Sequence, residues 1–309
     1  MTMHEWRVVE LPGRGSTYAC DIAGPSKRAP VVVLLHGWLA TGALNWGPSI
    51  EPLTRHFRVI AMDHRGHGRG LRGDEPFSLE HCADDVVALA DVLGVKRFVA
   101  VGYSMGGPIA QLVWHRHPER VDGLVLCSTF ADLQVGLLQR LVMSTVDRSA
   151  DGLGNAARLI PGPVRAQMLD AVLGRLPGTS ARDWVAELRA HDPRAIREAA
   201  RAIGGFSSTG WLGEITVPTV VVVTERDRVV PPARQRLLAA GIPDARTMTL
   251  DADHGVCVTQ PDTFTAAVLE ATQRVAEGSL PRAARWRRRL AALFATPSTD
   301  PAALDPIAA

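Results

Sequence analysis

The stretch VAVGYSMGG, residues 99–107, decides the fold of this chain. An apolar run ends in Gly-Tyr-Ser-Met-Gly, and residues with helical character follow at once. Glycine weakens both strands and helices, and serine is a poor end for a buried strand. Because these unfavourable residues stand together, Ser104 must have a role that offsets their local cost. A Gly-x-Ser-x-Gly pattern between a strand and a helix predicts a sharp, strained turn that lifts the Ser104 hydroxyl clear of the sheet.

Strand and helix patterns alternate on both sides of this turn. Two early strands, in EWRVVELP and STYACDIAG, precede the β-branched runs PVVVLLHG, RFVAVGY and VPTVVVVTERD, and amphipathic helical segments separate these runs. Such alternation predicts an α/β fold with a mostly parallel sheet flanked by helices. The alternation stops between residues 132 and 210, where several short helical segments are broken by proline and glycine. We expect a core in two parts, 1–131 and 211–278, an inserted helical lid over 132–210, and a basic C-terminal helix and tail over 279–309.

Composition narrows the class of protein. The chain has 309 residues, 46% of them hydrophobic, and a formal net charge of +2. This length suits one large core with an insertion, and the near-neutral charge predicts no nucleic-acid partner. Four scattered cysteines without a Cys-x-x-Cys spacing favour buried, reduced thiols over a disulfide or metal framework. The first residues lack a basic segment followed by an apolar run, so we expect no signal peptide and a cytoplasmic location.

A serine hydroxyl is a weak nucleophile unless a base removes its proton. His254 is the best of the ten histidines for this role because it follows the last predicted strand, at the same sheet edge as Ser104. Asp227 follows the C-terminal end of another buried strand and can orient the imidazole. The chain order Ser104, Asp227, His254 is one of the known orders of a catalytic triad. Glu225 and Asp132 remain alternatives for the acid.

An oxyanion that forms on a substrate needs hydrogen-bond donors. The backbone N–H of Met105, at the start of the helix after the turn, is one candidate. The backbone N–H of Trp38, in the loop after PVVVLLHG, is the second. Only the backbone group is required for this role, which leaves the Trp38 side chain available to shape an acyl pocket.

These motifs together resemble the α/β-hydrolase fold family. The resemblance covers roughly residues 5–278 and rests on HGW, DHRGHG, GYSMGG, TERDRVVPP and DHGVCVTQPDTF, which stand in the family's order. It is strongest to the branch of small esterases, lipases, haloperoxidase-like enzymes and carbon–carbon bond hydrolases. It implies Ser-Asp-His catalysis with no metal or organic cofactor. Gly70 stands where the family often has serine, and Ser104 argues against the epoxide hydrolases and dehalogenases of this fold, which use aspartate.

Two further segments have other interpretations. His64 and His67, with Asp63, could form a metal site, but a glycine-rich loop offers no rigid face, so we expect Asp63 and Arg65 to hold the loop by hydrogen bonds. The C-terminal LPRAARWRRRLAALFATP predicts a basic amphipathic helix with Trp286 and Phe294 on its apolar face. We favour a helix docked on its own domain. The alternative is weak contact with an anionic membrane surface, which would make the protein peripheral to a membrane.

The sequence therefore predicts a serine hydrolase that cleaves carboxylic esters of a small molecule, with lipid-like acyl groups as one substrate class. Thioester cleavage, carbon–carbon bond cleavage and haloperoxidase-like chemistry could use the same site. A non-catalytic receptor for a small ligand is the alternative from another class, and the complete Ser-Asp-His set argues against it, because a receptor does not need a base.

Overall fold

An eight-stranded sheet forms the centre of the computed structural model, which describes residues 6–133 and 190–279. The strands are β1 (Arg7–Leu11), β2 (Gly15–Ile22), β3 (Val31–Leu35), β4 (Arg58–Met62), β5 (Phe98–Tyr103), β6 (Val121–Cys127), β7 (Thr219–Thr224) and β8 (Arg246–Leu250). The described helices are α1 (Gly42–Thr54), α2 (Leu79–Val92), α3 (Gly106–Arg116), α4 (Pro193–Gly205), α5 (Pro232–Gly241), α6 (Val256–Thr259) and α7 (Pro261–Ser279). The predicted α/β architecture is confirmed.

Strand order places a crevice beside the central strand. The order is β1-β2-β4-β3-β5-β6-β7-β8, with β1–β2 and β2–β4 antiparallel and all later pairs parallel. In the sheet, β4 lies on one side of β3, and β5, the next strand along the chain, lies on the other side. In open α/β sheets, ligands bind outside the carboxyl ends of the strands at such a switch point. The loops that follow β3 and β5 therefore flank the expected site.

Both faces of the sheet are buried, which explains the continuous apolar runs of the sequence. In β3, Val33 and Leu35 pack on the side of α2 and α3, whereas Val32 and Leu34 pack on the side of α1 and α7. Burial of each such side chain stabilises the fold by about 1.5–3 kcal/mol. The parallel strands are thereby held in one register, and this register fixes the relative positions of the loops at their carboxyl ends.

Helix α2 begins after Ser78, as predicted by a serine that directly precedes the helical apolar spacing of LEHCADDVVALADVLG. Ser78 has extended backbone, and its hydroxyl accepts a hydrogen bond from the His81 N–H at 3.0 Å. This hydrogen bond is an N-cap. It satisfies one of the backbone N–H groups of the first turn that have no partner within the helix. Pro108 lies in the first turn of α3, where its missing N–H has no partner to lose.

Most of the predicted lid and tail lie outside the described residues. Of the lid, 132–210, the structure describes the two ends, and the C-terminal end contains α4. The basic segment with Trp286 and Phe294 falls within 280–309, which is also outside. Among the helices of 6–133 and 190–279, none has both the length and the apolar character needed to cross a membrane. All four cysteines are free and buried, as the sequence predicts.

A cluster of buried histidine rings lies below the loops that follow β3 and β4. The rings of His36 and His64 have centroids 4.4 Å apart, and those of His36 and His67 are 5.4 Å apart. His36 Nδ1 donates to the Gly37 carbonyl at 2.8 Å, and its Nε2 accepts from the His64 N–H at 2.9 Å. Both nitrogens of His36 are thus used in its neutral form. Gly68 N–H donates to His191 Nδ1 at 2.8 Å, which connects the cluster to the segment before α4.

Burial makes these histidines hard to protonate, because a buried charge loses its hydration. It lowers the pKa of His36 well below its usual value, that of His64 to about 3 and that of His67 to about 4. An unfolded histidine has a pKa near 6.5. Between these values the unfolded chain binds protons that the folded chain does not bind. The free energy of unfolding is therefore fully retained above about pH 6.5 and falls as the pH drops below it.

We expect each of these histidines to remove up to about 1.4 kcal/mol from the free energy of unfolding per pH unit between about pH 6 and 5. His64→Phe should reduce that slope, because it removes one of the titrating groups. The substitution breaks no hydrogen bond of the ring, since no described residue bonds to either ring nitrogen of His64. Urea unfolding at pH 7, 6 and 5 measures the slope. His56→Gln is the matched control, since His56 is exposed, and it should keep the wild-type slope. An unchanged slope in His64→Phe would contradict the interpretation.

Candidate active site

Ser104 lies on a strained turn between β5 and α3. Its φ is +52°, in the left-handed region that side chains other than glycine rarely adopt. A Cβ on Gly102 would lie 2.2 Å from the Gly106 carbonyl oxygen, and one on Gly106 would lie 2.1 Å from the Leu35 carbonyl oxygen. Only glycine allows the backbone to approach so closely at these two positions. The strained serine and its two flanking glycines are as the sequence predicts.

The surrounding backbone holds this conformation. Ser104 N–H donates to the Cys127 carbonyl at 3.0 Å, and the Thr129 hydroxyl donates to the Ser104 carbonyl at 2.7 Å. Both partners come from the end of β6, the neighbouring parallel strand. The strain at Ser104 is thus maintained by hydrogen bonds from outside the turn.

The structure brings Ser104, His254 and Asp227 together. Their distances are 3.0 Å between Ser104 Oγ and His254 Nε2, and 2.7 Å between His254 Nδ1 and Asp227 Oδ2. The three residues follow β5, β8 and β7, so they meet at the carboxyl edge of the sheet. The Asp227 side chain is fully buried, and that of His254 is one-fifth exposed. This is the geometry of a nucleophile, a base and an orienting acid.

The alternative acids have other partners. Glu225 pairs with Arg236 of α5. Asp132 forms an isolated antiparallel β-bridge with Ser207. Of the three carboxylates considered, Asp227 is the one that contacts His254 at hydrogen-bond distance.

Asp227 is held from several sides. Its Oδ1 accepts from the N–H groups of Val229 and Val230, each at 2.8 Å. Its Oδ2 accepts from the Thr224 hydroxyl at 2.9 Å and from Gln235 Nε2 at 3.2 Å. These donors stabilise the ionised carboxylate and fix its plane. Thr224 and Gln235 were not found by sequence reasoning, because neither stands in a recognisable motif.

The loop after β3 passes directly beside Ser104. A Cβ on Gly37 would lie 3.2 Å from Ser104 Cβ, and Gly37 N–H donates to Asn45 Oδ1 at 2.8 Å. Trp38 follows in this loop, and Leu39 has a φ of +59°. Met105 occupies the N-cap position of α3, where backbone N–H groups lack partners within the helix. The backbone N–H groups of Trp38 and Met105 remain the predicted oxyanion donors.

The Trp38 side chain connects this loop to α4. Its indole N–H donates to the Ile196 carbonyl at 3.0 Å. The start of α4 is itself fixed to the core, since Asp192 N–H donates to the Gly66 carbonyl at 2.8 Å. Glu198 also accepts from the Phe77 N–H at 2.7 Å. The indole is therefore held between the core and the C-terminal end of the predicted lid.

Tyr103, which precedes the serine, packs against the base. Its ring centroid lies 5.5 Å from that of His254, and the ring also packs edge-on against Phe264 of α7. Burial raises the pKa of the Tyr103 hydroxyl well above its usual value, so the residue stays neutral. The aromatic ring supports the imidazole without adding a charge. Sequence reasoning did not single out this residue.

The metal hypothesis for the DHRGHG loop has no support from the geometry. Asp63 accepts from the N–H groups of Gly42 at 2.8 Å and Arg69 at 2.9 Å, and Arg65 pairs with Asp85. The carboxylate and the guanidinium thus hold the loop, as expected. Within residues 6–133 and 190–279, no three His, Cys, Asp or Glu side chains are arranged to hold a metal ion.

The chain is similar to known hydrolases over most of its length. Residues 30–261 match the family model described as the alpha/beta hydrolase fold. The chain is 32% identical over 256 residues to a putative carbamate hydrolase, RutD, of Agrobacterium fabrum, covering 81% of this chain and 96% of that protein. The enol-lactonase from Burkholderia xenovorans has a similar structure, with a TM-score of 0.69, 26% identity, and 85% and 98% of the two chains covered.

A hydrolase from Pseudomonas aeruginosa is similar to the same extent, with a TM-score of 0.69, 27% identity, and 87% and 98% of the two chains covered. The family model spans well over half of the chain. The chain therefore belongs to the α/β-hydrolase fold family, and the resemblance inferred from its motifs is confirmed.

We expect Gly106→Ala to destabilise the fold by at least about 1–3 kcal/mol, because its Cβ would collide with the rigid Leu35 carbonyl. Gly205→Ala is the control, since a Cβ there meets nothing within 4 Å and Gly205 is the last residue of α4. It should leave the free energy of unfolding unchanged or raise it by up to about 1 kcal/mol. Thermal and urea unfolding measure both changes. Equal effects of the two substitutions would show that the close approach at Gly106 is wrongly described.

Proposed function

We propose that this α/β hydrolase cleaves carboxylic esters through a covalent acyl-enzyme on Ser104. The observation that carries the proposal is the continuous hydrogen-bonded chain from Ser104 Oγ through His254 to Asp227, at 3.0 and 2.7 Å. A hydroxyl so placed can transfer its proton to the imidazole as it attacks a carbonyl carbon. The buried Asp227 carboxylate stabilises the imidazolium that forms.

Acylation follows from this arrangement. Ser104 Oγ forms a bond to the ester carbonyl carbon while His254 Nε2 takes the hydroxyl proton. The carbonyl oxygen becomes an oxyanion, which the backbone N–H groups of Trp38 and Met105 would stabilise. His254 then gives its proton to the alkoxide oxygen as the ester bond breaks. The alcohol leaves, and the acyl group remains on Ser104.

Deacylation repeats the sequence with water. His254 removes a proton from a water molecule, whose oxygen attacks the acyl carbon, and then returns the proton to Ser104 Oγ. The acid is released and the free serine is restored. The chemistry of both halves uses side chains and backbone groups of the protein and requires no cofactor.

The relatives support a carbonyl substrate. A lactone is a cyclic ester, so the similarity to an enol-lactonase favours ester cleavage. A carbamate is the second candidate, because the chain is 32% identical to a putative carbamate hydrolase. Attack on a carbamate carbonyl would use the same three side chains. A panel of p-nitrophenyl esters of increasing acyl length, with a p-nitrophenyl carbamate beside it, tests the substrate class.

Ser104→Ala should abolish labelling by a fluorophosphonate, which reacts with activated serines. It should also lower ester turnover by several powers of ten, because no other described residue takes the position of Ser104 Oγ. Gel fluorescence and p-nitrophenol release measure the two effects. Ser49→Ala is the control, since Ser49 is a buried serine of α1 whose hydroxyl contacts Thr265 of α7. Labelling that persists in Ser104→Ala would refute the nucleophile assignment.

Asp227→Asn should lower kcat by about 10³–10⁴-fold, because the amide cannot stabilise the imidazolium or hold its tautomer. Asp132→Asn should lower it far less, because the carboxylate that lies at hydrogen-bond distance from His254 is that of Asp227. Steady-state kinetics of the two variants on one ester compare them directly. A larger loss in Asp132→Asn would show that the acid of the triad follows β6 and not β7.

A further inference from the structure

Gln235 is a fully buried side chain of α5 whose whole amide is used in hydrogen bonds. Its Oε1 accepts from the Thr224 N–H at 3.0 Å. Its Nε2 lies 2.8 Å from the Val230 carbonyl, 3.0 Å from the Thr224 hydroxyl and 3.2 Å from Asp227 Oδ2. Because the Thr224 N–H requires an oxygen at Oε1, the NH₂ group must point towards the carboxylate.

The donors and acceptors around Thr224 fix where its single hydroxyl proton goes. Gln235 Nε2 has no acceptor lone pair, so the Thr224 oxygen accepts in that contact. The carboxylate oxygen of Asp227, at 2.9 Å, accepts and cannot donate when ionised. Two other acceptors lie farther from the Thr224 hydroxyl, Ser128 Oγ at 3.2 Å and Gln235 Oε1 at 3.4 Å. The Thr224 proton is therefore directed to Asp227 Oδ2, which is both the nearest acceptor and the charged one.

Both oxygens of Asp227 therefore accept hydrogen bonds from groups other than His254. Two backbone N–H groups hold Oδ1, whereas Oδ2 depends on Gln235 and on the hydroxyl that Gln235 orients. Oδ2 is also the oxygen that contacts His254 Nδ1. Loss of the amide would leave Oδ2 with one protein donor besides the base, and that donor could turn towards Ser128. The carboxylate could then rotate away from the imidazole.

We propose that Gln235 is a positioning residue that acts through Asp227, holding the carboxylate in the plane that His254 needs. The inference rests on the proposed function, since it assumes that Asp227 orients the base. In a purely structural role, Gln235 would only connect α5 to β7 by hydrogen bonds, and its amide would be buried in the same way. The difference between the two roles is that a positioning residue matters only while Asp227 can support the imidazole.

The test compares Gln235→Met with Gln111→Met in the full chain. Methionine is similar in size to glutamine and removes the amide. Gln111 is also fully buried, but its amide contacts the Phe130 carbonyl and the Ser208 hydroxyl. The readouts are the rate of fluorophosphonate labelling and the kcat and KM for p-nitrophenyl acetate, measured well below the melting temperature of each variant.

We expect Gln235→Met to lower kcat and the labelling rate by about tenfold or more, with KM within about twofold of wild type. Gln111→Met should keep both rates within about threefold. In an Asp227→Asn background, Gln235→Met should cause no more than about a twofold further loss, because the group through which it acts is already gone. A full further loss in that background, or a kcat near wild type in the single variant, would overturn the inference.

Asp227→Asn alone separates this inference from the proposed function. If that variant keeps wild-type turnover, the triad itself is wrong and Gln235 has no carboxylate to position for catalysis. If Asp227→Asn is impaired while Gln235→Met is not, the triad stands and the inference alone is overturned. Should Gln235→Met fail to fold, Thr224→Val replaces it under the same criteria, because it removes the hydroxyl donor that Gln235 orients.

Discussion

The site depends on how closely three backbone segments approach one another around Ser104. Gly102 and Gly106 nearly touch across the turn, and Gly106 also meets the end of β3. A side chain at either glycine would push these segments apart. This contact requires β3 and β5 to be parallel neighbours in register, which the apolar layers on both faces of the sheet provide. The positions of Ser104, the adjacent HGW loop and the start of α3 are thus set by one packing constraint.

Buried polar groups surround the site and orient its side chains and loops. Gln235 and Thr224 surround Asp227, and the neutral histidines around His36 lie under the loop that carries Trp38. Buried polar groups are costly unless they are hydrogen-bonded, so such networks stabilise one arrangement over its alternatives. The histidine cluster also connects the core to the C-terminal end of the predicted lid, through His191. Buried polar groups thus lie at the carboxyl edge of the sheet on both sides of β5.

The sequence predicts the parts of this site that are local. The elbow, the strands, the Ser78 cap and the buried cysteines follow from short patterns that the structure confirms. Asp227 could be proposed from its place after a strand, but Glu225 and Asp132 satisfied the same argument, and the contact with His254 distinguishes them. Gln235 and Tyr103 could not be found, because their roles arise from contacts with residues in other elements. No local pattern encodes which face of α5 meets the end of β7.

The central claim is that ester cleavage passes through an acyl group on Ser104. Rapid acid quenching during the reaction with p-nitrophenyl acetate, followed by intact mass and peptide mapping, tests it most directly. The account predicts one acetyl group per chain, on the peptide that contains residues 102–107, formed as fast as the first turnover releases p-nitrophenol. Steady turnover without a covalent adduct at any quench time, or an adduct on another residue that forms at the rate of turnover, would contradict it.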